Sequence, residues 1–291
     1  MTDREKMVCG LMGCPVGHSL SPLMHGFYSE QTGVDMTYVP FLVRPEALST
    51  AVRGAYALNI RGLNVTVPHK QAVMESLAEL DEAAEAIGAV NTLVWTEHGY
   101  KGYNTDAEGF RRAVKEAGMT IRDKTCILIG AGGAAKAAAY VLAKEGALRV
   151  YVLNRSRDKA EALAAHMNGL FGRAVLFPMA LDGWRQIREQ DCLAVQTTSV
   201  GMHPHADDVP IADEAFYRKL DAAFDVIYTP FTTRFMELAG LAGARAENGL
   251  SMLIYQGAAA YELWNPQVKI TREMTCQVRE LLCAHLGGET I

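Results

Sequence analysis

Two glycines and an alanine near the middle of the chain have the types and spacing of a dinucleotide-binding loop. Gly130, Gly132 and Ala135 follow the apolar run 127–129 in the pattern G-x-G-x-x-A. The first glycine permits a tight turn, the second lets the backbone approach a pyrophosphate, and the alanine lets a helix pack closely on the strand. That helix begins with free N–H groups that attract phosphate. The pattern predicts a cofactor site, and the alternative is a strand–helix–strand unit that packs tightly and binds nothing.

The residues after the next strand indicate which cofactor the loop would take. Residues 150–153 predict that strand, and a site for NAD usually follows it with Asp or Glu to hold the ribose 2′-hydroxyl. Here Asn154 takes that place, and Arg155, Ser156 and Lys159 follow. The cations suit a 2′-phosphate, and the guanidinium can stack on adenine. This strand end favours NADP over NAD.

A lysine and an aspartate are candidates for proton transfer. In the predicted strand 63–67, Asn64 and Thr66 alternate with apolar residues and therefore share one face. Pro68 predicts a helix that runs to about residue 86 and places Lys70 in its first turn, where the helix dipole disfavours the charged amine. Asp106 lies at the start of another predicted helix. A solvent-exposed role for Lys70 and a purely helix-stabilising role for Asp106 both stay open on pattern alone.

Other polar residues near these sites lie at the predicted starts of helices, where they can serve as capping residues. Ser21 at the N-cap and Pro22 at the first helical position predict a helix that runs to about residue 31. Ser19 has no predicted capping role, and a ligand role for the two serines is left open. Thr105 and Glu108 have the spacing of a capping box.

Composition restricts the class of protein. The chain has 291 residues, 49% of them hydrophobic, which predicts two domains or one large one. The net charge of −5, with both signs spread along the chain, argues against nucleic acid or an anionic membrane as a main partner. No apolar run approaches the roughly 18 residues of a membrane span, and the N-terminal residues are unlike a secretory signal. Six scattered cysteines without metal-site spacing predict a cytoplasmic protein with reduced thiols and no metal.

The order of predicted elements gives the fold class. Strands alternate with helices along most of the chain, which predicts two α/β domains, the second a Rossmann-type doubly wound parallel sheet. We expect a substrate-binding domain over residues 1–104, a nucleotide-binding domain over 105–248, and C-terminal helices over 249–291. The final helix, 271–285, is amphipathic and is expected to pack back on the first domain.

Several of these segments together resemble one family. The chain is similar to the shikimate dehydrogenases in segments that occur in family order and span nearly its whole length. The matching segments are 18–22, 64–70, 88–92, 102–106, 130–134, 154–156 and 249–256.

The resemblance implies an activity and assigns residues to it. It implies reversible hydride transfer between NADP(H) and the shikimate/3-dehydroshikimate pair, in aromatic amino-acid biosynthesis. Lys70 and Asp106 would be the catalytic pair, with Lys70 passing the proton of the hydroxyl and Asp106 holding it in place. The substrate-binding residues would be Ser19, Ser21, Asn64, Thr66, Lys70, Asn91, Asp106, Tyr228 and Gln256. The cofactor-binding residues would be Gly130, Ala131, Gly132, Gly133, Ala134, Asn154, Arg155, Ser156 and Lys159, with Val226, Gly249 and Met252 near the nicotinamide and Glu82 as a further candidate.

The chain departs from the family pattern, and other activities remain as alternatives. Gln196 and Thr197 stand where the family commonly has Asn and Ala, which bears on the fine packing of the nicotinamide. A quinate/shikimate dehydrogenase that uses NAD is the nearest alternative, and a non-catalytic homologue that senses a metabolite is another. A folate-linked NADP dehydrogenase would share the two-domain plan but lacks the paired serines and the 64–70 segment. The oligomeric state is left open, with a homodimer among the states considered.

Overall fold

The structure is a computed structural model that describes residues 6–287, and the chain divides into two compact units. Unit 1 consists of Met1–Gly109 and Ile254–Ile291, and unit 2 is Phe110–Leu253. Each division falls inside a helix, whereas the sequence places the boundaries after residues 104 and 248. The predicted fold class, two α/β domains with C-terminal helices that belong to the first, is confirmed.

Unit 1 contains a mixed sheet of six strands. Their order across the sheet is β2-β1-β3-β5-β6-β4, with β5 antiparallel to both of its neighbours. The strands are β1 (Met7–Gly13), β2 (Met36–Leu42), β3 (Gly62–Val65), β4 (Glu79–Leu80), β5 (Thr92–Thr96) and β6 (Gly99–Tyr103). Because β1, β2 and β3 pair in parallel, the residues that follow β1 and β3 emerge at the same edge of the sheet.

Helices cover this sheet, and two of them continue into unit 2. The helices with residues in unit 1 are α1 (Ser21–Thr32), α2 (Leu48–Ala57), α3 (Glu82–Ile87), α4 (Thr105–Glu116), α9 (Leu250–Trp264) and α10 (Arg272–His285). Two short 3₁₀ helices, Pro45–Ala47 and Ala72–Ser76, complete the unit.

The helix predicted from residue 68 to about 86 is wrong. The 3₁₀ turn, β4 and α3 occupy this stretch instead. His69 is buried and its Nε2 donates to the Val43 carbonyl at 2.7 Å, while the Lys70 carbonyl accepts from the Val90 N–H at 2.8 Å. Since the Lys70 carbonyl bonds to a residue far along the chain, it does not serve an α-helical turn.

Unit 2 has a sheet of six parallel strands. The order is β12-β11-β10-β7-β8-β9, which is the 3-2-1-4-5-6 order of the Rossmann fold. The strands are β7 (Thr125–Ile129), β8 (Arg149–Asn154), β9 (Leu176–Ala180), β10 (Cys192–Gln196), β11 (Leu220–Asp225) and β12 (Arg245–Glu247). The central strands β7 and β10 are buried along their whole length, as expected for a parallel sheet covered on both faces. The strand order reverses between β7 and β10, and the predicted fingerprint follows β7.

Four helices lie within unit 2. They are α5 (Gly133–Lys144), α6 (Arg157–Phe171), α7 (Glu214–Tyr217) and α8 (Arg234–Leu241). A 3₁₀ helix over Leu181–Gln186 follows β9.

The C-terminal helices pack on the first sheet and on α1. The Trp264 indole N–H, at the end of α9, donates to the Leu93 carbonyl of β5 at 2.9 Å. Gly62 in β3 lies under this indole, and a Cβ there would come within 2.4 Å of Trp264 Nε1. Helix α10 packs against α1, as predicted. No helix in the described part of the chain is long and apolar enough to span a membrane.

Candidate active site

The centre of the candidate site is a partly buried ion pair in unit 1. Lys70 Nζ donates to Asp106 Oδ2, and the side chains are 20% and 8% exposed. Lys70 follows β3, and Asp106 lies in the first turn of α4. A carboxylate removed from water in this way needs a charged or hydrogen-bonding partner, and the ammonium group supplies one. The structure therefore brings together the two residues predicted to act on the proton.

Asn91 fixes the second oxygen of that carboxylate. Its Nδ2 donates to Asp106 Oδ1 at 2.9 Å and to Thr105 Oγ1 at 3.0 Å. Its Oδ1 accepts from the Thr105 backbone N–H at 2.7 Å. A carboxylate only accepts and a backbone N–H only donates, so the orientation of the Asn91 amide is unambiguous. Asp106 is thus held from both oxygens, one by Lys70 and one by Asn91.

Asn64 is held by two side chains that the sequence did not single out. Tyr38 O–H donates to Asn64 Oδ1 at 2.7 Å, and Asn64 Nδ2 donates to Thr92 Oγ1 at 3.1 Å. Tyr38 lies 26 positions before Asn64 and Thr92 28 positions after it. No local pattern connects residues so far apart. Strand pairing places Thr92 of β5 directly beside Asn64 of β3, and Tyr38 lies on β2, which β1 separates from β3.

The serine pair has a different local structure from the one predicted. Leu20, not Ser21, occupies the N-cap of α1, and its side chain makes no capping hydrogen bond. Ser19 Oγ accepts from the Ser21 backbone N–H at 3.2 Å and donates to Ser21 Oγ at 3.1 Å. The predicted capping role of Ser21 is wrong, and the two hydroxyls instead form a linked pair.

The start of α4 is also capped differently from the prediction. Asn104 Oδ1 accepts from the Ala107 backbone N–H at 3.2 Å, which makes Asn104 the capping residue. The capping box predicted for Thr105 and Glu108 is therefore wrong. The Thr105 hydroxyl is buried and bonds to Asn91 and Thr92 instead.

The remaining predicted substrate residues lie in different parts of the molecule. Gln256 on α9 is nearly buried, with Oε1 3.4 Å from Asn91 Nδ2, and so joins the same network. Thr66 follows β3 and packs on the backbone at Gly13, where a Cβ would come within 2.4 Å of Thr66 Cγ2. Tyr228 belongs to unit 2, where burial raises its pKa above the usual value.

The fingerprint loop in unit 2 has the geometry that its glycines predict. Gly130 has φ +114°, and a Cβ there would come within 2.5 Å of Thr197 Oγ1. A Cβ at Gly132, by contrast, would meet no atom within 4 Å, so the backbone of this residue is open to close approach. Ala135 is fully buried in the first turn of α5. Together with the N–H groups of Ala131, Gly133 and Ala134, this loop fits a pyrophosphate.

The residues that depart from the family pattern organise the neighbouring loop. Gln196 is fully buried at the end of β10, and its Oε1 accepts from the Thr198 N–H at 2.6 Å. Its Nε2 donates to the carbonyls of Thr198 and Val200 at 3.2 and 3.1 Å. The Thr197 hydroxyl donates to the Ile129 carbonyl at 2.6 Å. Gln196 and Thr197 therefore stabilise the turn after β10 and join it to the end of β7, beside Gly130.

The basic end of β8 is exposed. Asn154 Nδ2 donates to the Ser156 carbonyl at 2.8 Å, which shapes the turn into α6. Arg155 and Lys159 are exposed and have no ion-pair partner among residues 6–287, whereas Arg157 pairs with Glu161 at 2.8 Å. The two cations predicted to hold a 2′-phosphate are the ones not engaged in ion pairs.

Val226, Gly249 and Met252 are positioned by close packing in unit 2. Gly249 N–H donates to the Ile227 carbonyl at 2.9 Å, and a Cβ on Gly249 would come within 2.0 Å of the Val226 carbonyl oxygen. Met252 is buried in the first turns of α9. Glu82, in contrast, is an exposed residue of α3 in unit 1.

Asp225, which the sequence did not indicate, is the buried acid next to this group. It is fully buried at the end of β11 and accepts from Thr233 O–H at 2.7 Å and from the Ile227 N–H at 3.0 Å. Burial raises its pKa from 3.8 to about 7, against smaller lowering by these hydrogen bonds. Within residues 6–287, no cluster of His, Cys, Asp or Glu has the arrangement of a metal site.

A parallel sheet with a dinucleotide-type loop and a second unit with a partly buried lysine–aspartate pair are the parts of a two-domain, nicotinamide-dependent dehydrogenase. Comparison with known proteins narrows this class. Three family models match the chain: the shikimate dehydrogenase substrate-binding domain over residues 11–93, shikimate/quinate 5-dehydrogenase over 112–206, and the shikimate 5′-dehydrogenase C-terminal domain over 249–268.

Individual relatives agree with these models. A shikimate dehydrogenase (NADP⁺) of Methanopyrus kandleri is 44% identical over 93% of this chain and 95% of its own. A crystal structure of a shikimate dehydrogenase in complex with NADP⁺ has a TM-score of 0.88 and 37% identity, over 99% of this chain and 98% of that one. A quinate dehydrogenase from Corynebacterium glutamicum in complex with NAD has a TM-score of 0.86 and 29% identity, over 96% and 99%. The chain belongs to the shikimate dehydrogenase family.

Proposed function

We propose that this chain catalyses the reversible NADP-dependent reduction of 3-dehydroshikimate to shikimate, a step of aromatic amino-acid biosynthesis. The observation that carries the proposal is the partly buried Lys70–Asp106 pair, held by Asn91, in a chain of this family. The fold similarity to dehydrogenases and the fingerprint of unit 2 support an enzyme over a metabolite-sensing homologue, since both halves of the chemistry are retained.

The proposed reaction assigns the proton to the residues of unit 1. When shikimate is oxidised, its carbon loses a hydride, which bound NADP⁺ accepts, and its hydroxyl loses a proton. Lys70 Nζ, in its neutral form, takes that proton. Asp106 holds Lys70 in position and stabilises the ammonium group that results. In the reverse direction the ammonium group returns the proton to the oxygen of the carbonyl that is being reduced.

The substrate would be bound mostly by neutral side chains. Hydroxyl and amide groups can donate to a carboxylate and both donate to and accept from ring hydroxyls, which fits a polyhydroxylated acid. Besides the catalytic pair, the residues assigned to substrate are Ser19, Ser21, Asn64, Thr66, Asn91, Tyr228 and Gln256.

The cofactor would be bound by the loops of unit 2. The backbone from Gly130 to Ala134 and the N-terminus of α5 would hold the pyrophosphate, and Arg155 and Lys159 the 2′-phosphate, beside Asn154 and Ser156. Val226, Gly249 and Met252 are assigned to the nicotinamide end. A role of Glu82 in cofactor binding stays a prediction; this residue is exposed in unit 1.

The alternative activity is oxidation of quinate with NAD. The similarity of fold to a quinate dehydrogenase means that the architecture alone does not separate the two. The absence of an acid at position 154 and the exposed Arg155 favour NADP. The deciding assay follows nicotinamide reduction with shikimate or quinate, each with NADP⁺ or NAD⁺. Reduction with shikimate and NADP⁺ alone is expected, and comparable rates with quinate or NAD⁺ would move the activity to the alternative.

The role of Lys70 is tested by Lys70→Ala. We expect turnover to fall by a factor of at least about 10², because general acid–base catalysis contributes on that order, while the Kd for NADP⁺ is unchanged. The matched control is Lys101→Ala, which removes another half-exposed, paired lysine of unit 1. Near-normal turnover of Lys70→Ala would contradict the assignment.

The cellular location and the assembly of the protein are also proposals. All six cysteines are free thiols in the structure, which supports a reducing compartment such as the cytoplasm. The homodimer considered from the sequence stays a prediction, and light scattering of the purified protein would test it.

A further inference from the structure

Tyr38, in β2, is a buried residue whose hydroxyl faces two residues assigned to substrate, Asn64 and Ser21. Its side-chain O–H donates to Asn64 Oδ1 at 2.7 Å, and the residue is 9% exposed. Tyr38 is not among the residues assigned to substrate or cofactor. Its position next to an assigned substrate residue raises the question of what the hydroxyl does there.

The hydrogen bonds of Asn64 within the protein determine which of its groups a ligand can use. Its Nδ2 lies 3.3 Å from the Asn91 carbonyl oxygen and 3.1 Å from Thr92 Oγ1, so both amide hydrogens have partners within the protein. A carbonyl oxygen only accepts, which fixes Nδ2 on that side and Oδ1 on the side of Tyr38. Since Oδ1 has two lone pairs and Tyr38 uses one, Asn64 offers a ligand one acceptor and no donor.

The environment of Tyr38 keeps its hydroxyl a donor and its ring in place. Burial raises the pKa of Tyr38 well above its usual value, against a smaller lowering by Ser21, so the phenol stays protonated. The ring stacks on His25 with 4.3 Å between centroids and lies 6.0 Å from the Trp264 ring. Burial lowers the pKa of His25 to about 3, so this neighbour is neutral. The ring packing does not depend on the hydroxyl.

We propose that Tyr38 is a positioning residue for Asn64: its O–H occupies one lone pair of Asn64 Oδ1 and, together with the Asn91 carbonyl that fixes Nδ2, holds the amide in place. Asn64 then accepts from a substrate hydroxyl and disfavours a group that can only accept. This inference rests on the proposed function, because that function assigns Asn64 to the substrate. Tyr38 acts through Asn64 and does not itself touch the reacting atoms. Specificity at this point of the substrate therefore depends on a residue of β2, which β1 separates from the strand of Asn64.

The test is a double-mutant cycle with Tyr38→Phe and Asn64→Ala, measured as kcat/KM for shikimate and as the Kd for shikimate. Tyr38→Phe keeps the ring and is expected to lower kcat/KM about 10-fold in the wild-type background, the size expected for one buried hydrogen bond. In the Asn64→Ala background the same change is expected to have less than about a 2-fold effect. The Kd for NADP⁺ should not change in any variant.

Tyr100→Phe is the matched control for a merely structural effect. Tyr100 is buried in the same unit, and its hydroxyl donates to the Ile60 carbonyl at 2.6 Å, away from Asn64. It should lower stability about as much as Tyr38→Phe and leave kcat/KM unchanged. Equal effects of Tyr38→Phe in both backgrounds would overturn the inference.

The two proposals fail in different ways. A wild-type protein that does not oxidise shikimate contradicts the proposed function, whatever the variants do. An active wild-type protein without coupling between positions 38 and 64 contradicts only the role of Tyr38. If the wild-type protein is inactive, the cycle is judged on the Kd for shikimate, and lack of binding contradicts both.

Discussion

Arg157 is the first residue of α6 and Arg155 lies two positions before it, and the two side chains differ in whether they form an ion pair. Arg157 pairs with Glu161, and Arg155 has no ion-pair partner within the described residues. Arg155→Ala is expected to raise the KM for NADP⁺ at least about 10-fold, because a charge-assisted hydrogen bond to phosphate contributes roughly 1.5–3 kcal/mol. The KM for shikimate should change much less. Steady-state kinetics with each substrate varied in turn measures both.

Arg157→Ala is the matched control for this change. It removes the same charge from the same surface, but from a side chain already engaged with Glu161. Its KM for NADP⁺ should stay within about 2-fold of wild type, as expected for an exposed i,i+4 pair. Similar effects of the two substitutions would indicate general charge attraction and contradict a specific contact at Arg155.

At the scale of residues, the sequence indicated which polar side chains belong to the candidate site better than it indicated the contacts between them. Lys70 and Asp106 were selected from motifs, and the structure brings them together. The contacts of Asn91 and the role of Tyr38 depend on strand pairing between distant segments, which one sequence does not reveal. The capping predictions at Ser21 and Thr105 failed because nearby residues, Leu20 and Asn104, occupy the cap positions.

At the scale of elements, Gly249 shows how the end of β11 and the start of α9 are held together. Its N–H bonds to the Ile227 carbonyl, and a Cβ would overlap the Val226 backbone. Gly249→Ala is expected to destabilise unit 2 by about 1–3 kcal/mol, the usual cost of forcing an extra group into a packed site. Urea unfolding of the two proteins measures this change, and activity should fall with it.

Gly240→Ala provides the comparison in the same unit. Gly240 lies in α8, and a Cβ there would meet no atom within 4 Å. Because alanine favours a helix over glycine by roughly 0.5–1 kcal/mol, this change should be neutral or stabilising. An equal loss of stability in both variants would show that the contact with Val226 is not the cause.

The elements themselves were predictable to different degrees. The strand–helix–strand unit around the fingerprint was predictable because its apolar runs, turn glycines and helix lie together in the sequence. The stretch 68–86 was not, since His69 and Lys70 bond to Val43 and Val90. Pro68 alone gave a helix signal there, and these distant contacts overrode it.

At the scale of the whole molecule, Asp225 makes stability depend on pH. Its pKa is about 7 in the folded protein and 3.8 ordinarily, so between these values the folded state binds more protons than the unfolded state. The free energy of unfolding therefore falls as the pH rises through this window and levels off above about pH 7. Asp225→Asn removes this term. The variant should gain stability relative to wild type between pH 5 and pH 8, by roughly 2–3 kcal/mol, since about two pH units of the window lie above pH 5.

Urea unfolding at the two pH values measures this difference, with Asp213→Asn as the control. Asp213 is a capping carboxylate of α7 whose pKa lies below its ordinary value, chiefly because it accepts from the Ala215 N–H. It is charged in both states from pH 5 to pH 8, so its substitution should shift stability equally at both. A pH-independent effect of Asp225→Asn would show that this acid is ionised when folded.

The division of the chain has a consequence for biosynthesis on the ribosome. Unit 2 is one continuous segment, whereas unit 1 needs residues from both sides of it. Trp264, which covers Gly62 and bonds to Leu93, is translated more than 150 residues after either partner, as are the α10 residues that pack on α1. The nucleotide-binding segment can therefore emerge from the ribosome and fold first. The unit that contains Lys70 can be completed only after the C-terminal residues have been synthesised. Loss of the C-terminal segment in an incomplete product would leave the catalytic unit without its cover and the Rossmann sheet intact.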